Sequence, residues 1–257
     1  MSATAGEQQE SQRARDWWRA HQAAVCDVSE PWAHGTVLRA ARYPTYYSFN
    51  LVRVEDDPAM DATELAAFAD RALAGLEHRR IDFEPIEPAR ERRAELETMG
   101  YKATALLWMR HTDPTAVAAN EGFDVEQAPY EAADELRHRW QQEDFPDSAY
   151  DESFRTGARE VAMTRDARVL VVREGEEVVA FAQVERSGEG AEITKVYVHP
   201  DHRGGGRGTA MTRAAIRSAA GVRDLWIAAD DEDRPKRLYE RLGFKPVYRS
   251  MELVRPR

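Results

Sequence analysis

The residues best suited to binding a ligand form a short run of glycines and arginines. Residues 202–208 read His-Arg-Gly-Gly-Gly-Arg-Gly, with four glycines and two arginines. Glycine allows positive φ and lets a ligand approach the main chain closely, and guanidinium groups donate paired hydrogen bonds to phosphate oxygens. A run of β-formers precedes the glycines and a helical pattern follows them, and a helix N-terminus binds anions through its free N–H groups. The pattern therefore predicts a phosphate-binding loop rather than a solvated glycine-rich turn.

The spacing of the glycines separates the possible phosphate ligands. The end of the loop, Gly206-Arg207-Gly208-Thr209, lacks the Lys-Ser/Thr of a nucleoside triphosphate loop. The dinucleotide fingerprint also fails, because its third glycine would fall on Met211 or Thr209. Arg203, Gly206 and Gly208 fit Arg-x-x-Gly-x-Gly after a Val-Tyr-Val-His-Pro strand end. This motif resembles the acetyl-CoA-binding motif of the GCN5-related N-acetyltransferase superfamily.

The resemblance implies acetyl-CoA as co-substrate and assigns residues to it. In that superfamily the loop amides hold the pyrophosphate of CoA, and the end of the preceding strand pairs its backbone with the pantetheine arm. The residues of this chain that match these positions are Val196, Tyr197, Val198, Arg203, Gly204, Gly205, Gly206, Arg207, Gly208 and Thr209.

A tyrosine in a second motif is the expected general acid. Residues 237–244, Arg-Leu-Tyr-Glu-Arg-Leu-Gly-Phe, are similar to a later motif of the same superfamily, whose tyrosine often protonates the leaving CoA thiolate. That position is Tyr239 here. A phenol with a pKa near ~10 can donate to a thiolate whose pKa is near ~8.5; packing on an amphipathic helix is the other interpretation. The superfamily often has an asparagine seven residues earlier, where this chain has Glu232.

An amine acceptor also needs a proton acceptor, since a free amine has a pKa near ~10. Glu192 lies eleven residues before Arg203, where the histone-acetylating branch of the superfamily carries its base, although a glutamate exposed at the start of a strand fits the same pattern. Carboxylates and aromatic side chains of the expected acceptor segment could bind a cationic substrate or pack in the core: Trp140, Glu143, Asp144, Phe145, Asp147 and Tyr150.

Composition limits the other function classes. The net charge of −10 disfavours sequence-independent binding to nucleic acid or an anionic membrane surface. The sequence contains no run of eighteen apolar residues, so it predicts no membrane span. The N-terminus lacks the apolar core of a signal peptide. The single cysteine, Cys26, is typical of a reducing cytoplasm. His199 and His202 have no further ligands at metal-binding spacing, so we expect no metal.

The elements that position these residues suggest two similar halves. Leu96–Lys102 (LETMGYK) aligns without a gap on Tyr239–Lys245 (YERLGFK), and each follows a strand-loop-helix-strand-helix order. The simplest explanation is an internal duplication. The corresponding loop of the first half, Glu55–Leu65, has five carboxylates and no glycine, and Leu96 replaces the tyrosine. The first copy is therefore expected to be structural or to shape the acceptor pocket.

These observations predict an α/β protein of two acetyltransferase-like domains, each a mixed, mostly antiparallel, twisted sheet flanked by helices. The expected boundaries are 1–113 for a degenerate domain, 114–121 for a linker and 122–257 for the catalytic domain. The expected function is transfer of an acetyl group from acetyl-CoA to a primary amine of a small molecule or peptide, by a cytoplasmic monomer or homodimer. The alternative is a CoA-binding sensor or assembly subunit that does not turn over.

Overall fold

The computed structural model describes residues 4–115, 117, 122–144 and 152–256. All its strands belong to one sheet of eleven strands with helices on both faces. The strands are β1 Val28–Trp32, β2 Gly35–Arg39, β3 Leu51–Val54, β4 His78–Phe83, β5 Lys102–His111, β6 Glu126–Ala128, β7 Arg168–Glu174, β8 Glu177–Ser187, β9 Gly190–Val198, β10 Asp224–Asp230 and β11 Phe244–Pro256. The helices are α1 Ala5–Val25, α2 Ala62–Ala72, α3 Ile86–Thr98, α4 Asp134–Asp144, α5 Glu152–Met163, α6 Arg207–Ser218 and α7 Pro235–Arg241.

The order of the strands interleaves the two halves of the chain. It runs β1-β2-β3-β4-β11-β5-β10-β9-β8-β7-β6, so β11 lies between β4 and β5, and β5 lies between β11 and β10. Apart from the edge strand β6, the arrangement is symmetric about the antiparallel β5–β11 pair, which extends from Phe244 opposite His111 to Val254 opposite Lys102. The expected mixed, mostly antiparallel sheet flanked by helices is confirmed. The halves, however, share one sheet instead of forming one each, because each donates its last strand to the other.

The two largest apolar clusters pack against the same sheet, one mainly in each half. In the second half, α6 packs on β7, β8, β9 and β10, and its buried face includes Met211, Ala214 and Ile216. In the first half, α2 and α3 pack on β3, β4 and β11 through residues such as Leu65 and Leu96. A 3-10 helix, Tyr47–Phe49, precedes β3 in this half.

Helix α1 and the segment before β3 pack across onto the second half. The ring of Trp17 covers Gly190, where an added Cβ would lie 2.6 Å from the indole. The ring of Tyr43 covers Gly157 of α5, where an added Cβ would lie 2.9 Å from it. The Tyr43 hydroxyl also donates to Glu160 at 2.8 Å. Both glycines leave room for an aromatic side chain of the first half, so the halves are closely packed as well as interleaved.

Candidate active site

The two parallel strands β9 and β10 are paired over only part of their length. Their register runs from Gly190 opposite Asp224 to Ile193 opposite Ile227. Beyond that point, Lys195–Val198 pair with β8 alone among the described strands. A β-bulge at Thr194 marks the divergence, because Lys195 pairs with Gln183 and Ile193 with Val184. The strands thus open into a cleft whose wall is the main chain of the residues predicted to bind pantetheine.

The glycine-rich loop joins this open strand to α6. Gly204 has φ 82° and Gly206 has φ 87°, the left-handed region that strains other residues. Gly206 is the N-cap of α6 and supplies no side-chain hydrogen bond to the first turn. The amides of Arg207, Gly208 and Thr209 therefore lack the cap that most helices have. The strand–loop–helix arrangement expected from the sequence is present.

Both arginines of the loop are engaged by carboxylates. Arg203 donates to the carbonyl oxygen of Val198 at 3.0 Å and to Glu143 at 2.7 Å. Arg207 pairs with Glu174 and donates to the carbonyl oxygen of His202 at 3.2 Å. A phosphate that entered the loop would replace these carboxylates as the hydrogen-bond partner of both arginines.

Glu143 also connects the loop to the open strand. Its carboxylate accepts a hydrogen bond from the Tyr197 hydroxyl at 2.8 Å. Burial would raise the pKa of Glu143, but the hydrogen bonds from Arg203 and Tyr197 outweigh it and lower that pKa. Burial and the hydrogen bond to Glu143 raise the pKa of Tyr197 to about 12. The predicted cofactor residues Arg203 and Tyr197 therefore share one acidic partner from α4.

Tyr239 lies in the core beneath the cleft. Its side chain is 8% exposed and belongs to the cluster that α6, β9 and β10 form. Its ring centroid is 6.1 Å from that of Phe244. Burial raises the pKa of Tyr239 to about 12, so the hydroxyl carries its proton at neutral pH. Its role as general acid stays a prediction.

Glu192 is buried and paired rather than exposed at the start of a strand. Its carboxylate accepts hydrogen bonds from the indole N–H of Trp17 at 2.7 Å and from Arg165 at 3.2 Å. Arg165 also donates to the carbonyl oxygen of Trp17 at 2.8 Å. The partner Trp17 is 175 residues away in the chain, so no local pattern could show that this carboxylate joins the two halves. Its role as the base stays a prediction.

The structure shows a buried carboxylate beside Glu192 that the sequence analysis missed. Glu185 on β8 is 4% exposed and lies directly opposite Glu192 in the β8–β9 register. Gln183 and Glu185 are the two polar residues of the buried run 179–185 of β8, and their spacing of two places both on one face. Two polar residues at that spacing inside a buried strand were the available signal.

The expected acceptor segment is described only in part. Trp140 lies on α4 with its ring centroid 5.7 Å from the ammonium nitrogen of Lys195. Phe145, Asp147 and Tyr150, and the side chain of Asp144, lie outside the described residues. On the α1 side of the sheet, a cavity of about 150 Å³ is lined by residues of both halves, including Trp18, Trp108, Glu192 and Glu252.

The structure also bears on the expectations about metal ions and membranes. Among residues 4–115, 117, 122–144 and 152–256, no group of three or more His, Cys, Asp or Glu side chains is arranged to hold a metal ion. No helix within those ranges is long and apolar enough to cross a membrane.

Comparisons with known proteins agree with this geometry. Residues 165–246 match the acetyltransferase (GNAT) domain family. A GCN5-related N-acetyltransferase from Kribbella flavida has a TM-score of 0.60 at 15% identity, covering 100% of this chain and 97% of the other. A putative GNAT acetyltransferase from Novosphingobium aromaticivorans has a TM-score of 0.56 at 18% identity, covering 92% and 93%.

A conserved protein of unknown function from Staphylococcus epidermidis has a TM-score of 0.68 at 14% identity, covering 88% of this chain and 92% of the other. No curated protein matches the sequence. At these identities the solved structures show a shared fold over most of the chain. Proteins with this domain are acetyltransferases that use acetyl-CoA as co-substrate. Residues 165–246 therefore form a domain of the acetyltransferase (GNAT) family, the superfamily whose motifs the sequence resembles.

Proposed function

We propose that this protein transfers the acetyl group of acetyl-CoA directly to a primary amine of a small molecule or peptide. The observation that carries the proposal is the cleft between β9 and β10, which opens at Thr194 and leads to the glycine-rich start of α6. An extended pantetheine arm needs main-chain partners along one strand, and a pyrophosphate needs free amides at a helix N-terminus. The unpaired main chain of β9 and the free amides at the start of α6 are adjacent here.

We propose the same residues for the cofactor that the sequence indicated. Val196, Tyr197 and Val198 offer main-chain groups on the β10 side, where they have no described strand partner. The loop from Arg203 to Thr209 offers amides and two guanidinium groups. The charge-assisted bonds of Arg203 and Arg207 to carboxylates show that both side chains already bind anionic oxygens at this place.

In this proposal Tyr239 supplies the proton that the leaving thiolate takes up. Its raised pKa keeps the phenol protonated across the neutral range, which is the state that an acid must have. Replacing Tyr239 by Phe removes the hydroxyl and keeps the ring against Phe244. We expect kcat to fall by about 10²-fold, as for other positioned acids, with little change in the Kd of acetyl-CoA. A variant with an unchanged kcat would assign the tyrosine to packing alone.

We propose that the first half is a degenerate copy without a cofactor site. Its strands β3 and β4 stay paired up to Val54 and Phe83, and the amide of Glu84 continues to the carbonyl of Val54 at 2.9 Å. No cleft opens between them. The acidic segment before α2 would also repel a pyrophosphate.

Calorimetric titration of acetyl-CoA tests the proposal. We expect about one site, and weakening by at least about 10-fold in Arg203→Ala/Arg207→Ala, since each charge-assisted bond contributes about 1.5–3 kcal/mol. The matched control is Arg71→Ala/Arg90→Ala, two exposed arginines of the first half with the same change in net charge. No binding by the wild type would overturn the proposal, and two sites would overturn the inert first half.

A turnover assay separates the enzyme from a sensor that only binds CoA. Release of free CoA thiol is followed with acetyl-CoA and a panel of n-butylamine, phenethylamine, spermidine and an N-terminally free alanine peptide. Mass spectrometry identifies the acetylated amine. Transfer to at least one amine is expected. Binding without transfer to any of them would favour the sensor.

A further inference from the structure

The cavity of about 150 Å³ on the α1 side of the sheet extends across both halves. Its lining residues come from β9, β10, β5, β11, β4 and β3, which are consecutive strands of the sheet, and from α1. An engineered cavity of the same volume binds benzene, so about six non-hydrogen atoms fit. The cavity therefore suits a small ligand that lies across the strands.

One end of the cavity meets the cleft between β9 and β10. Ala228 lines the cavity and directly follows Ile227, the last residue of β10 that is paired with β9. Glu192 lines the same end, since it lies opposite Trp226, two residues before Ala228. Both hydrogen bonds that Glu192 accepts reach its Oε2, so Oε1 is the oxygen that remains for a ligand. A group at this end lies where the proposed acetyl group arrives.

The middle of the cavity is apolar. Trp108 and Leu106 line it from β5, and Trp18 lines it from α1, with its ring centroid 6.2 Å from that of Trp108. These side chains offer no partner to a charge, and a charged group that is buried without a partner is costly. The middle therefore fits a hydrocarbon chain.

The far end of the cavity has two carboxylates for one arginine. Glu252 and Asp82 lie opposite each other in the β4–β11 register, and Arg80 pairs with both. The Glu252 side chain is 27% exposed and that of Asp82 is 13% exposed, so Glu252 is the easier to reach. Burial raises the pKa of Glu252 to about 7; Arg80 opposes the rise and Asp82 adds to it. A ligand cation would compensate the second carboxylate.

The other charged residues that line the far end already have partners. Arg53 donates to Glu55 at 3.0 Å and to Gln22 at 2.8 Å. Glu84 accepts from Arg19 at 2.7 Å. An anionic ligand would have to take Arg53 away from its partners, whereas a cation meets a carboxylate that shares its arginine. The far end therefore favours a cation.

We propose that the acceptor is a short, unbranched α,ω-diamine, which lies across the sheet with one nitrogen beside Glu192 and the other, as an ammonium, beside Glu252 and Asp82. This inference rests on the proposed function and names the class of its amine. Two strands separate β9 from β11, so their main chains are about 14 Å apart. Two glutamate side chains and a four-carbon diamine together span that distance.

The transfer leaves one charged end on the product. The near nitrogen, as the free amine, forms a bond to the acetyl carbonyl carbon and gives one proton to Glu192. The C–S bond breaks with its electron pair on sulfur, and the thiolate takes a proton from Tyr239. Solvent then removes the proton from Glu192 and restores that of Tyr239. The far nitrogen stays an ammonium, so the product is a mono-acetylated diamine.

The test compares 1,4-diaminobutane with n-butylamine, which has the same carbon chain and lacks the second ammonium. In the wild type we expect kcat/KM to be at least about 10-fold higher for the diamine, the size expected for one charge-assisted hydrogen bond. Spermidine should react more slowly than 1,4-diaminobutane, because it is longer than the cavity accommodates.

Glu252→Gln tests the far end. We expect kcat/KM for 1,4-diaminobutane to fall by about 10-fold, with no change in kcat/KM for n-butylamine or in the Kd of acetyl-CoA. Partial unfolding would lower the activity with both amines and leave their ratio unchanged. The matched control is Glu91→Gln, which removes a carboxylate of α3 that is 73% exposed and should keep the diamine preference.

Ser250→Leu tests the cavity without changing a charge. Ser250 lines the cavity on β11, and a leucine there would fill part of its volume. The KM for 1,4-diaminobutane should rise several-fold, and the Kd of acetyl-CoA should stay the same. This variant decides the question if Glu252→Gln does not fold, and an unchanged KM for the diamine would then contradict the inference.

The outcomes separate this inference from the proposed function. Equal kcat/KM for the two butyl amines, transfer only to other amines, or a diamine preference that survives in Glu252→Gln overturns the inference and leaves the acetyltransferase intact. Acetyl-CoA binding without transfer to any amine overturns both. A diamine preference that is lost in Glu252→Gln and kept in Glu91→Gln supports both.

Discussion

The junctions β3–α2 and β9–α6 occupy equivalent places in the two halves but begin their helices in opposite ways. Asp61 caps α2: its carboxylate accepts the amide of Glu64 at 2.8 Å, and Glu64 accepts the amide of Asp61 at 3.1 Å. Gly206 begins α6 with no side chain at all. One helix satisfies its own N-terminus, and the other leaves it open for a ligand. The same topology thus supports either stability or binding, and the capping residue shows which.

The parallel strands beside these junctions also differ, because one pair stays together and the other diverges. In the first half, Arg53 is paired opposite Asp82 and the parallel strands remain together to their ends. In the second, β9 continues past its pairing with β10 and opens at a bulge. Only the second half therefore combines diverging strands with an uncapped helix N-terminus, the two features that the proposed cofactor site uses.

The largest expected effect comes from separating the halves. Residues 122–257 alone lack β5, so β10 and β11 lose the strand between them, and β4 is also missing from β11. We expect no cooperative thermal unfolding by circular dichroism and no acetyl-CoA binding by this fragment. Co-expression with residues 1–121 should restore both. A fragment that folds alone would instead support two independent domains with the boundaries expected from the sequence.

Gly206→Val sharpens the comparison at the open junction. A β-branched residue at φ 87° is strained by about 1–3 kcal/mol, and the strain distorts the loop that would receive the pyrophosphate. We expect acetyl-CoA to bind about 10-fold more weakly or worse. Gly75→Val is the control, because Gly75 has φ 89° after α2 with nothing within 4 Å of an added Cβ. It should lose comparable stability and keep its affinity; equal losses of affinity would contradict a local cradle.

The pH dependence of stability tests how firmly α1 of the first half is buried against the second. Burial, with Arg165 and Lys195, lowers the pKa of His21 from 6.5 to about 2. The folded state therefore keeps His21 neutral, while the unfolded chain takes up a proton at this residue below pH 6.5. The free energy of unfolding is thus highest above that pH and falls as the pH decreases toward 2. Relative to pH 7, this residue alone should cost about 2 kcal/mol at pH 5.

Urea unfolding of His21→Leu checks this prediction. The variant should lose less stability than the wild type between pH 7 and pH 5, by about the same 2 kcal/mol. Identical pH dependence in the two proteins would mean that His21 is hydrated and that this face of α1 is not buried.

Asp61→Ala has the smallest expected effect. It removes the cap of α2 and should lower the free energy of unfolding by about 1 kcal/mol, as measured in urea. Its Kd for acetyl-CoA should equal that of the wild type, because the capped junction is expected to bind no ligand. A changed affinity would show that the first half contributes to the cofactor site.

Local patterns were enough to predict one part of this protein. The strand end from Val196 to Val198, the glycines at positive φ and the start of α6 follow from β-propensity, the absence of Cβ and helical periodicity, which act within a few residues. The cap at Asp61 is equally local, because an aspartate followed three residues later by a glutamate forms a capping box within one turn. These features indicated the superfamily and the cofactor before any tertiary structure was considered.

The tertiary structure decided what depends on distant parts of the chain. The sequence shows two halves of similar order, but only the sheet shows that β5 and β11 exchange places, since strand pairing joins residues with no local signature. Glu192 and Glu185 look alike in the sequence. Trp17 and Arg165 bind the first, and Gln183 and Thr194 bind the second, because burial and hydrogen bonding are set by the side chains that folding brings together.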